Sequence, residues 1–158
     1  MKDRQEALLT RNRLIAKIMS QYDTEADDGI LPVVPLDDFF KDNWDEKSLA
    51  PNLVGYGRPS LQECYEILTS IRNRPDVQDV LISIHETPYP DEELDFDIWP
   101  DSDTVYVLTS ASLGDVARWT ERLKPNEISV GWTSNGRSKP LAAPKPESGF
   151  TVFALWWD

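Results

Sequence analysis

The chain has 158 residues, 40% hydrophobic and 28% charged, with 28 acids against 16 bases and a formal net charge of −12. That length suits one domain that buries a core without disulfide or metal staples, and the single cysteine, Cys64, excludes an intramolecular disulfide and argues for a reducing compartment or for indifference to redox. A field this negative repels nucleic-acid phosphates and anionic membrane leaflets, so neither is expected as a partner; it favours a basic protein, and serves solubility in any case.

Met1 to Leu9 has neither the basic nor the apolar region of a signal peptide. No stretch reaches the ~20 apolar residues of a membrane helix, so a cytoplasmic location is expected. Residues 6–22 read as an amphipathic helix. Leu8, Leu14, Ile15, Ile18, Met19 and Tyr22 recur at steps of three and four, with Arg4, Arg11, Arg13 and Lys17 between them. An acidic turn, Asp23 to Gly29, ends it. Ile30 to Phe40 begins as a strand, and Pro32 and Pro35 place it at a sheet edge or in an extended arm. Asp37 to Ser48 is acidic and is expected to loop out, and Pro51 to Pro59 is aperiodic loop.

Ser60 and Glu63 have capping-box spacing at the start of a helix along Leu61, Cys64, Leu68 and Ile71, which ends before Pro75. Val77 to His85 is the clearest strand, with Val80, Ile82 and Ile84 on one face and Leu81, Ser83 and His85 on the other. A long acidic loop, Glu86 to Asp103, leads to a second strand, Thr104 to Thr109. Ser112 and Asp115 cap a further helix lined by Leu113, Val116, Ala117, Thr120 and Leu123. A short strand from Ile128 to Trp132 and a Pro/Ser/Gly-rich loop, Thr133 to Ser148, precede the last strand. That strand, Phe150 to Trp157, is apolar on both faces, as in an interior strand covered twice or one presented to a partner. The fold class expected is α+β: a split β-α-β (ferredoxin-like) sandwich with an extra N-terminal helix and one extra short strand. Residues 1–158 form a single domain. Residues 1–29, the first helix and its acidic turn, pack on it, the helix covering a sheet edge or the second sheet face.

Chemistry is sparse. The lone histidine, His85, and the lone cysteine lie on a strand and on an apolar helix stripe, and no nucleophile elbow is present, so no catalytic residue is assigned. His85 with Glu86 forms a weak candidate carboxylate–histidine site. The loop 86–103 holds eight acids and no Lys or Arg. Asp95 and Asp97, and Asp101 and Asp103, alternate as cation ligands do, but no glycine makes the tight turn of a calcium loop, so no metal and no cofactor is expected. Trp44 and Trp99 sit in acidic loops, either as interface anchors or folded back as lids over the core. With Asp91, Glu92, Glu93, Asp95 and Asp97 they make up the candidate partner-binding set.

The runs Val34-Pro-Leu-Asp-Asp-Phe-Phe, Arg74-Pro-Asp-Val-Gln-Asp-Val-Leu-Ile and Trp99-Pro-Asp-Ser-Asp-Thr-Val-Tyr-Val-Leu-Thr-Ser together resemble a family of small uncharacterised bacterial proteins, over about residues 30–133. In general character the chain is similar to immunity proteins, which bind and block a toxin. Three functions stay open: an acidic module engaging a basic protein, a small enzyme or enzyme subunit using His85 and Glu86, and a homodimer joined through the C-terminal strand.

Overall fold

A computed structural model of the chain describes residues 3–22, 30–133 and 138–158. The acidic turn 23–29 therefore lies outside the described residues, as does part of the Pro/Ser/Gly-rich loop. Helix α1 (Arg4–Met19) begins where the Asp3 carboxylate accepts the Gln5 N–H, and it buries Ala7, Arg11, Leu14, Ile15 and Ile18. Strand β1 (Val33–Pro35) is an edge strand, in keeping with Pro35 within it and Pro32 just before it.

The chain does not loop out at Asp37. Helix α2 (Leu36–Phe40) follows β1 at once, with Asp37 and Asp38 in its first turn and Leu36 and Phe39 buried one turn apart. Ser48, Leu49 and Ala50 are also buried, tied by Ser102 N–H to Ser48 O at 2.7 Å and Ala50 N–H to Ser102 O at 3.0 Å. An acidic exterior thus masks a run whose apolar members face inward.

Helix α3 (Leu61–Arg72) starts at Ser60, whose hydroxyl oxygen accepts the Glu63 N–H at 3.2 Å. The reciprocal half of that box is absent, since Ser60 Oγ–H turns to Glu63 Oε1 at 3.3 Å. The complete capping box is at Ser112 and Asp115, opening helix α4 (Leu113–Trp119). There Val116, Thr120 and Leu123 are buried, while Leu113 and Ala117 face solvent.

Strands β2 (Val77–Ser83), β3 (Thr104–Thr109), β4 (Glu127–Val130) and β5 (Thr151–Trp156) complete a five-stranded sheet in the order β1-β2-β3-β5-β4, antiparallel throughout. The class is α+β, but the sheet order is not that of a split β-α-β unit. Such a unit leaves a gap between the strands flanking its helix for another strand to fill. Here β1 pairs directly with β2, Val33 opposite Ser83 and Pro35 opposite Leu81. β5 is hydrogen-bonded on both edges, so the free edge next to it belongs to β4.

The alternation read from the sequence separates two apolar layers. Val80, Ile82, Val105, Val107, Phe153 and Trp157 pack beneath the helices. Leu81, Tyr106, Leu108, Val152 and Ala154 form a thinner layer with Val33 and Ala143. Helix α1 joins the first layer through Leu14 and Ile18, and Gln21, just past its end, meets the backbone of edge strand β1, donating to Val33 O at 2.9 Å and accepting the Val33 N–H at 3.1 Å. The second face is covered by chain from the loop before β5. Gln78 clasps that loop, donating to Lys145 O at 3.0 Å and accepting from Glu147 N at 2.9 Å.

Candidate functional site

The acidic loop is braced rather than floating. Arg11 lies at the centre of the buried stripe of α1 with no exposed surface. Its guanidinium donates to the carbonyls of Asp95, Ile98 (2.9 Å) and Pro90 (3.4 Å), and to Asn12 Oδ1. Burial lowers its pKa from the ordinary guanidinium value, partly offset by the negative charge of Asp95. The loop therefore wraps a cation with its backbone dipoles and leaves the side chains of residues 91–94 outside. Arg11 reads from the sequence as a solvent-facing base. The signal that identifies it is its position in the spacing Ala7, Arg11, Leu14, Ile15, Ile18.

Both candidate tryptophans fold inward. Trp99 is fully buried, edge-on to Trp44 at 5.4 Å between ring centroids, and its backbone N–H donates to Asp45 Oδ2 at 3.1 Å. Trp44 is half-buried. Its indole N–H donates to Asp97 O at 3.2 Å, and Arg4 lies over its ring at 4.6 Å. The two rings lock the acidic loops onto the core, so they act as lids and not as exposed anchors. The exposed apolar groups of the loop are Leu94 (91% exposed), Tyr89 (72%) and Ile98. Around them Asp91, Glu92 and Glu93 are exposed, Asp95 Oδ2 accepts the Tyr89 N–H at 2.9 Å, and exposed Asp97 pairs with Arg4.

The foot of the loop is closed by an isolated antiparallel bridge between Glu86 and Asp101. His85 faces Asp101, Nδ1 to Oδ1 at 3.4 Å, whereas Glu86 is exposed and its N–H donates to the same carboxylate at 3.1 Å. Burial pushes the Asp101 carboxyl above the usual aspartate range, opposed by that N–H and by His85. Cys64 lies in the helix-side layer, its thiol donating to Pro59 O, and burial pushes its pKa up to about 11. His85 follows Ser83 on the other face, so the two groups are not brought together. Among the described residues no group of three or more His, Cys, Asp or Glu is placed to hold a metal ion, and no helix is long and apolar enough to cross a membrane.

Fold and loop together define a small α+β domain: an antiparallel sheet layered by helices, carrying a braced acidic loop. The chain belongs to the Uncharacterized protein YfbO family, whose model matches residues 9–155. It is 32% identical over 128 residues to Uncharacterized protein YfbO of Escherichia coli (strain K12), a span covering 80% of this chain and 83% of that protein. No solved structure matches it.

Proposed function

We propose that this chain is a binding module that engages a basic protein through loop 89–98, in the manner of an immunity protein that blocks a cationic toxin. One observation supports the reading above the others: Leu94, Tyr89 and Ile98 are held out in water on a loop whose backbone is fixed by buried Arg11. Holding a loop in one shape before contact lowers the entropy lost on binding. Exposed apolar side chains supply contact area, and the surrounding Asp91, Glu92 and Glu93 speed encounter with a cationic surface.

The test compares wild-type protein with Leu94→Ser and with a triple Asp91→Asn, Glu92→Gln, Glu93→Gln variant, as bait in host extract at low and high salt. A captured protein with a basic surface, lost with the first variant and weakened about tenfold or more with the second at low salt, is the expected result. Capture that ignores salt and both variants, or no capture at all, overturns the reading.

A further inference from the structure

The thinner sheet face is open at one end. There a groove of about 370 Å³ is lined by Ser83, His85, Asp103, Tyr106, Glu127 and Trp156, among others. The strand register builds it. Ser83 lies opposite Thr104, Thr104 opposite Trp156, and Trp156 opposite Glu127, one row across four strands. In the next row Tyr106 stands opposite Ala154, whose methyl leaves space on the sheet. Tyr106 is fixed, its hydroxyl 3.0 Å from Thr133 Oγ1 and its ring edge-on to Trp132 at 4.9 Å. The volume falls within the usual range of small-molecule sites.

The lining chemistry selects a cation. Trp156 keeps 37% of its surface exposed while its neighbour Trp157 is buried, the latter with its indole N–H on Leu123 O at 2.8 Å. An indole presents a negative face to a cation. The groove adds two carboxylates, Asp103 and Glu127, and among the described residues no Lys or Arg lines it, which disfavours anions. The hydroxyls of Ser83, Thr104 and Ser129 add hydrogen-bond acceptors. We propose that this groove binds an organic ammonium group, with the Trp156 ring against the cation and Asp103 and Glu127 flanking it. A free alkylamine and the tip of a lysine side chain share that chemistry.

The test follows the indole N–H signals of the full 15N-labelled chain during titration with n-butylammonium, with N-acetyl-lysine methylamide and with uncharged n-butanol. The Trp156 signal is assigned by its loss in Trp156→Phe. A saturable shift of that signal by butylammonium or the capped lysine, and not by butanol, is expected. Glu127→Gln and Asp103→Asn should each weaken it about fivefold or more. The tighter of the two amines tells a free ligand from a protein side chain. No saturation below about 50 mM, an equal response to butanol, or affinity unchanged in both charge variants of a chain whose circular dichroism is native overturns the proposal. The groove does not depend on loop 89–98, so the Asp91, Glu92, Glu93 variant should bind the amines as wild type does.

Discussion

The two faces of the sheet are built to different standards. Beneath the helices, Phe39, Ile82, Val107, Trp99 and Trp157 are sealed in one continuous apolar layer. On the opposite face the apolar layer is thin, covered by a loop, and gives way at one end to carboxylates, hydroxyls and a partly exposed indole. Packing density supplies stability on the first face, and its incompleteness leaves room for a ligand on the second.

The sharpest way to break this contrast is at Arg11, the polar group sealed into the helix side. Arg11→Met leaves three backbone carbonyls without their donor and should cost about 4 kcal/mol. It is read as a fall in the urea midpoint, with hydrogen exchange accelerated across residues 89–98. Ile82 and Leu81 are neighbours on β2 facing opposite layers. Ile82→Ala should cost about 3 kcal/mol and Leu81→Ala about 2, because the thinner layer collapses more readily around a lost side chain. Equal losses would show that the two layers are packed alike.

The smallest effect concerns Cys64. Its thiol holds its proton up to about pH 11 in the folded chain, higher than in an unfolded one. Between those two values the unfolded chain sheds a proton that the native chain retains, so stability falls as pH rises through that window. Cys64→Ala should flatten that slope, measured by urea unfolding at stepped alkaline pH. Iodoacetamide at pH 8 should label the native thiol only as fast as the chain opens.

Local patterning made much of this molecule legible. The alternation of Val80, Ile82 and Ile84 against Leu81 and Ser83 located both layers, and Ser112 with Asp115 located the start of α4. Helix α2 escaped because five residues are too few to show a helical period, and its acids resemble those of a loop. Trp99 was legible as a lid or an anchor, and its full burial edge-on to Trp44 decides for the lid. The groove was hidden because its row of residues comes from four strands whose order no local signal encodes. His85 was singled out beside Glu86, yet its contacts are with Asp101 and the groove.

Arg11 reaches the acidic loop through main-chain oxygens of residues 90, 95 and 98. Every amino acid offers that oxygen, so these three attachment points impose no identity on the residues that provide them. Asp91, Glu92, Glu93 and Leu94, whose side chains face solvent, can be exchanged while Arg11 and the Asp95 carboxylate hold the backbone. Relatives that keep an arginine at this place in the first helix can therefore diverge in the outward side chains of residues 91–94 without refolding the loop.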